Sequence, residues 1–185
     1  IPSSLPSEWQ TEFQRLLDTF SARLDENQNS WFANQQTDRR FMNELAQVWL
    51  GSSFAYEWCL REPDWLVDLF CGDALSRSPD TNSLNTHLQT ELLAVDDESG
   101  LMRTLRRCRQ RTMLHIIWRD ITRRASTLET TAALTALADN CIRHAVDFLY
   151  PRLCQELGTP CNESGTPQSF LVLGMGKLGA FELNL

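Results

Sequence analysis

Residues 169–185 read SFLVLGMGKLGAFELNL, and this stretch decides which fold the C-terminal end of the chain enters. Phe170-Leu-Val-Leu173 is a short apolar run that ends at a glycine. Its length and flanks predict a buried strand over 169–173 rather than a helix. Gly174, Gly176 and Gly179 then punctuate the chain, and between them sits Lys177, the single lysine among 17 basic residues. Glycines in that setting allow a tight turn whose backbone amides can approach a phosphate closely.

Several folds hold phosphate in this way. Gly174-Met-Gly176-Lys-Leu-Gly179 fits G-x-G-x-x-G after a strand, the dinucleotide-binding fingerprint of a Rossmann domain. A Walker A loop does not fit, because position 171 is leucine where that motif needs glycine, and Lys177 is followed by leucine rather than Ser or Thr. A nucleotidyltransferase fold of the DNA polymerase beta type also ends a strand in a glycine turn, and a later Asp-x-Asp pair there holds magnesium. A glycine turn without any ligand is the fourth reading. Spacing alone leaves these open.

Upstream, the chain reads as helical almost throughout. EWQTEFQRLLDTFSARL (8–24) places Trp9, Phe13, Leu16, Leu17, Phe20 and Leu24 on one face, and DENQNS is expected to end that helix. Further helices are expected from Asp38 to Gly51, from Ser52 to Arg61, over Asp64–Cys71 with Pro63 in the first turn, over Leu84–Val95, and from Leu101 to Arg124. Ser126-Thr-Leu-Glu129 has the form of a capping box and opens a long helix that stops at Gly158. The turn-rich GTPCNESGTPQ then marks a boundary. The reading is therefore a helical region (1–158), a linker (159–168), and the start of another domain (169–185).

Composition narrows the function classes. The net charge of −7 and a pI near 5.0 argue against a general nucleic-acid binder. No apolar run approaches the roughly 18 residues of a membrane span. IPSSLPSEWQ lacks the basic start and apolar core of a signal peptide, so a cytoplasmic location is expected. The 6 cysteines form no C-x-x-C pair and read as buried reduced thiols. Cys141-x-x-His144 is the nearest approach to a metal pair, and ordinary helix packing explains it more simply. The 6 tryptophans read mostly as core. Arg103, Arg107 and Arg111 lie four apart and form a stripe on one helix. The stripe could dock an acidic partner or clamp a phosphate, but with 24 acidic residues in the chain a solvated, acid-paired face asks for less.

The wider sequence distinguishes among the glycine folds. LVLGMGKLGAFELNL resembles the active-site motif of the bacterial glutamine synthetase adenylyltransferase/deadenylase family, which runs G-M-G-K-L-G-x-x-E-L-N and then into Ser-Asp-Ile-Asp. Gly174, Met175, Gly176, Lys177, Leu178, Gly179, Glu182, Leu183 and Asn184 all match. Ala180 departs from the usual glycine, a mild change unless the position needs a positive φ. SGLMRTLRRCRQRTMLHIIWRD (99–120), EPDWLVDLF (62–70) and GTPCNESG (158–165) resemble the family's arginine-rich helix, its Pro-acidic-Trp-Leu segment and its linker; the first forty or so residues are generic.

The resemblance implies a mainly α region running into the first strand of an α+β nucleotidyltransferase domain, incomplete here. It implies nucleotide or phosphate contact at Gly174, Gly176, Lys177 and Gly179. Glu182 and Asn184 either support the motif as turn-structuring residues or bind ligand. The catalytic, magnesium-binding Asp-x-Asp would fall just beyond Leu185, so no catalytic or metal residue is expected within the chain, which would be inert alone. ATP, ADP and phosphate are the implied substrates, with glutamine synthetase and the PII signalling protein as partners and neither nucleic acid nor membrane. The linker resembles that of the N-terminal half, which removes AMP from a glutamine synthetase tyrosine by phosphorolysis. The alternatives are a helical interaction module with an incidental glycine turn, or a Rossmann domain.

Overall fold

The computed structural model describes Pro2 and residues 5–185. Nine α-helices account for the order among these residues: α1 (Ser7–Ser21), α2 (Glu26–Gln35), α3 (Arg39–Gly51), α4 (Ser53–Arg61), α5 (Pro63–Phe70), α6 (Thr81–Leu92), α7 (Glu98–Ile121), α8 (Thr127–Leu157) and the single turn α9 (Gly176–Gly179). A short 3-10 turn, Ala74–Ser76, comes after α5. The chain forms two compact units. The first takes the chain as far as Ser78 together with Met113–Thr127; the second takes Pro79–Thr112 with Leu128–Leu185.

Local signals set the helix starts in the first unit. Asp38 accepts from Arg40 N (2.8 Å) and caps α3. Ser52 ends α3 in an extended conformation and caps α4, its Oγ accepting from Ala55 N (3.2 Å). Pro63 occupies the first turn of α5, where its missing N–H costs nothing. The expectation that DENQNS ends a helix is half right. Helix α1 stops at Ser21, but Asp25 and Gln28 form a reciprocal capping box that starts α2. The signal was present as an Asp with a Gln three residues later.

Around these helices the first unit builds a core rich in aromatic rings. Phe20 meets Phe32 and Trp49 edge-on (5.0 Å each), Phe41 meets Phe70 (4.8 Å), and Phe70 meets Trp118 (5.2 Å). Edge-to-face pairs of this kind each add about 0.5–1.5 kcal/mol beyond the area they bury. Trp49, Trp65 and Trp118 are buried, whereas Trp9 is 45% exposed and is not core. Cys59 and Cys108 are buried thiols, and burial pushes Cys59 up to about 12; Cys71 and Cys161 are exposed, against the expectation of uniformly buried cysteines.

A charged group sits inside this core. Glu44 of α3 is buried, and its two carboxylate oxygens accept from Arg124 Nη2 at 2.6 and 2.9 Å. Arg40 Nε (3.1 Å) and Trp118 Nε1 (3.4 Å) donate to the same carboxylate. Arg124 is presented by the end of α7, where its N–H bonds to Arg119 O (2.7 Å) and Arg123 N to Asp120 O (3.0 Å). Those two bonds make a Schellman motif with Arg123 at the left-handed position, φ 55°. Buried Arg119 fastens the same corner, donating to Leu75 O (2.6 Å) and Arg124 O (3.2 Å).

In the second unit, Asp80 and Ser83 form a capping box that starts α6. Leu84 and Leu88 of α6, Leu101 and Cys108 of α7, and Ala133, Leu134, Leu137 and Phe148 of α8 are buried. His144 of α8 hydrogen-bonds Asn85 of α6 (3.1 Å). The residues 169–173 do not form the expected strand. They are extended, but a strand exists only through a hydrogen-bonded neighbour, and the one bridge among the described residues pairs Cys161 with Pro167. No helix among the described residues is long and apolar enough to cross a membrane.

Two substitutions test the Glu44 corner. Arg124→Ala strands a buried carboxylate and should lower stability by about 2 kcal/mol, read as an earlier urea-unfolding midpoint with unchanged slope. Arg123→Gly relieves a left-handed residue and should raise stability by about 0.5–1 kcal/mol in the same measurement.

Candidate functional site

The glycine turn is held by its own backbone. Gly174 and Gly179 lie against each other: a β-carbon on Gly179 would sit 2.5 Å from Gly174 O, and one on Gly174 would sit 3.1 Å from Leu178 Cγ. Gly179 has no room for a side chain against that backbone oxygen, and at Gly174 a side chain would fit only if Leu178 shifted. Gly176 differs, since it adopts φ +56° and a β-carbon there would meet nothing within 4 Å. Its glycine is required by conformation, and the space beside it is open. The first and last glycines thus close the turn, and the middle one exposes it.

Beyond the turn, Ala180 N donates to Gly176 O (2.9 Å) and Glu182 N to Lys177 O (2.8 Å). Ala180 has φ −88°, an ordinary right-handed conformation that alanine adopts without strain. The positive φ falls instead on Phe181, at 59°. Helix α9 therefore ends after one turn. A dinucleotide fingerprint requires its glycines to open a longer helix, which this geometry does not show.

Lys177 is exposed and donates from Nζ to Asn184 Oδ1 (2.9 Å). Asn184 thereby closes the far side of the turn, and Glu182 contributes its amide to the same closure. The structure brings Gly174, Gly176, Lys177, Gly179, Glu182 and Asn184 into one exposed loop. Residues 170–178 lie along α8, bordering a groove lined by Ile142, Val146, Phe170, Val172 and Leu178.

Other candidates stand apart from this loop. Arg103, Arg107 and Arg111 are exposed on α7, and Arg107 and Arg111 line a small pocket with His87 and Glu91 of α6. His144 is buried beside Asn85, and desolvation holds its imidazole below the usual range. Among the described residues no three His, Cys, Asp or Glu side chains gather into a metal site. The sequence reading missed one feature that fixes the approach to the loop, the contact of Tyr150 with Gln168 and Phe170. A tyrosine on a helical face carries no spacing signal for a partner beyond an intervening turn.

The family model for glutamate-ammonia ligase adenylyltransferase matches residues 42–185. The chain belongs to this family. It is similar to the bifunctional glutamine synthetase adenylyltransferase/adenylyl-removing enzyme of Pseudomonas putida, with 46% identity over 143 residues, which is 77% of this chain and 15% of that protein. The similarity to the enzyme of the same name from Pseudomonas aeruginosa is 44% over 145 residues, 78% of this chain and 15% of the relative. For that of Thioalkalivibrio sulfidiphilus it is 41% over 140 residues, 76% and 14%. The chain thus spans about one seventh of the length of these relatives.

The closure of the turn by Gly174 and Gly179 gives a local test. Gly179→Ala forces the backbone apart at a cost of about 1–3 kcal/mol, so amide exchange at Phe181 and Glu182 should quicken by about tenfold or more. Ala180→Gly should leave their exchange within about twofold, because alanine is unstrained there.

Proposed function

We propose that this chain is part of an enzyme that regulates glutamine synthetase by adding and removing AMP at a tyrosine. Within it, the loop Gly174–Gly179 is the phosphate-facing wall of one nucleotidyltransferase site. The observation that carries this reading is the open, positive-φ Gly176 in a turn where Gly174 and Gly179 lie against each other and Gly179 has no room for a side chain. Such a turn presents backbone N–H groups to an anion at close range. Lys177 adds a positive charge at the same turn, steadied by Asn184.

The linker's resemblance to that of the N-terminal half supports reading this site as the AMP-removing one. In phosphorolysis, an oxygen of inorganic phosphate attacks the phosphorus of the tyrosine-bound AMP. The bond from phosphorus to the tyrosyl oxygen breaks, and ADP leaves with the new phosphoanhydride. Charge on the phosphoryl oxygens has to be stabilised throughout, and backbone amides and Lys177 are what this chain offers for that task. Magnesium would supply the remaining neutralisation. Glu182 is the one carboxylate of the motif among these residues, and no three His, Cys, Asp or Glu side chains gather among the described residues. By the family resemblance the metal would sit on an Asp-x-Asp pair that follows this motif, and this chain would be inert by itself. PII signalling protein is the regulatory partner and the cytoplasm the location under the same reading.

The test uses the full-length enzyme. Gly176→Val puts a β-branched residue at φ +56°, where it is strained, and its methyl groups fill the open face. Phosphate-dependent removal of AMP from modified glutamine synthetase, read as ADP released, should fall at least about a hundredfold, while addition of AMP from ATP continues. Retention of both activities would refute a phosphate role for the turn. Loss of addition with removal intact would refute the assignment to the AMP-removing half.

A further inference from the structure

The glycine turn is exposed and reaches its place through an extended segment that pairs with no strand among the described residues. Something else must set its position relative to α8. The chain between them is itself ordered. Gly158, at φ +91°, ends α8, and residues 160–168 fold back as a small closed loop. Gln168 N donates to Pro160 O (2.8 Å) and Asn162 N to Thr166 O (3.0 Å). Asn162 Oδ1 gathers Ser164 N (3.1 Å) and Thr166 N (2.9 Å), and Gly165 makes the reversal at φ +78°. The chain leaves this loop at Gln168, close to where it entered.

Tyr150 grips that exit. Its hydroxyl, from the last two turns of α8, donates to Gln168 O, and its ring lies over Phe170 with the planes 28° apart and the centroids 6.4 Å apart. Two successive contacts on one rigid side chain fix both the position and the direction of the segment that runs to Gly174. Gly174 lies six positions after Gln168, so an extended chain carries any change of direction at Gln168 over about 20 Å. A small rotation there becomes a displacement of an ångström or more at the glycine amides.

We infer that Tyr150 is a positioning residue for the glycine turn, setting from α8 where the turn's amides meet phosphate. The inference rests on the phosphate-facing reading of that turn. The helix side of the device is also secured. Arg152 Nη1 donates to Phe148 O (2.8 Å) and its guanidinium packs 3.5 Å from the Phe148 ring centroid, bracing the turn of α8 that bears Tyr150. Pro151 sits inside the helix and donates no N–H, so it denies Asp147 O its usual partner. Side-chain bracing therefore replaces part of the helical bonding at this point. Tyr150 touches no reacting atom under this scheme; it acts through Gln168 and Phe170.

The experiment compares Tyr150→Phe, Tyr150→Ala and Gly176→Val in the full-length enzyme, with both AMP removal and AMP addition measured against glutamine synthetase. Whichever activity Gly176→Val abolishes is the one Tyr150 should tune. For that activity the KM of the phosphate-bearing co-substrate, inorganic phosphate for removal or ATP for addition, should rise about threefold in Tyr150→Phe and about tenfold or more in Tyr150→Ala. The other activity and the thermal unfolding midpoint of Tyr150→Phe should be unchanged. Unchanged KM in both Tyr150 variants alongside a dead Gly176→Val enzyme overturns the inference and leaves the phosphate role of the turn standing. A parallel loss of both activities with a lowered midpoint also overturns it, because that is the signature of a structural contact. An active Gly176→Val enzyme overturns the phosphate reading itself.

Discussion

Residues 113–127 belong with the N-terminal 78, and the buried carboxylate of Glu44 is where they are tied to it, through Trp118 and Arg124. A carboxylate set into an aromatic core needs hydrogen-bond donors, and within α3 Arg40 supplies one to Glu44. The remaining donors, Arg124 and Trp118, come from 74 to 80 positions further along the chain. Once the carboxylate is in place, the end of α7 must return to it. The aromatic contacts that run from Phe41 through Phe70 to Trp118 are then packing around a fixed point. Such a pair contributes less to net stability than to uniqueness of arrangement, since its desolvation cost offsets much of its attraction. Its removal on one side alone is what the core cannot absorb.

The corner that delivers Arg124 uses a conformation normally left to glycine. Arg123 is left-handed so that the chain can turn and expose the next side chain to Glu44. The strain there is local, and Arg119 shares the load by donating to two carbonyls of the same corner, Leu75 O and Arg124 O. Arginine suits this task because its planar group offers several donors in fixed directions. Part of the arginine excess in 103–124 is therefore internal scaffolding, and the exposed stripe at Arg103, Arg107 and Arg111 is a separate feature of the preceding turns.

The helices were legible because their signals are local. Three-and-four spacing placed α1, α3, α7 and α8, and Gly51, Pro63 and Gly158 marked the end of α3, the start of α5 and the end of α8. Helix α2 is hard to see because its polar residues outweigh its apolar ones, and its start depends on Asp25 and Gln28 capping each other. Phe170–Leu173 carried the composition of a strand, yet composition supplies no partner, and pairing is a property of neighbours. Glu44 was invisible for a related reason. One acid among 24 is distinguished only by what lies across from it in space. The glycine loop was the most legible element of the site, because three glycines at fixed spacing constrain the backbone whatever surrounds them.

The same constraint lets the loop keep its form without a sheet beside it. The phosphate role proposed for this loop would need amides that are already aimed, because reorganising them on binding would consume the interaction. Here the aim is set within a dozen residues: Gly174 against Gly179, Glu182 N on Lys177 O, Asn184 on the Lys177 amine. The alanine at 180 is tolerated because its own conformation is right-handed and the left-handed step falls on Phe181. Internal closure fixes the shape of the turn but not its location. Location has to come from outside the motif, and Tyr150 on α8 is a rigid group that touches the segment leading into it. Shape and placement are thus supplied by different parts of the sequence, the first by glycine spacing and the second by a helix side chain some two dozen residues earlier.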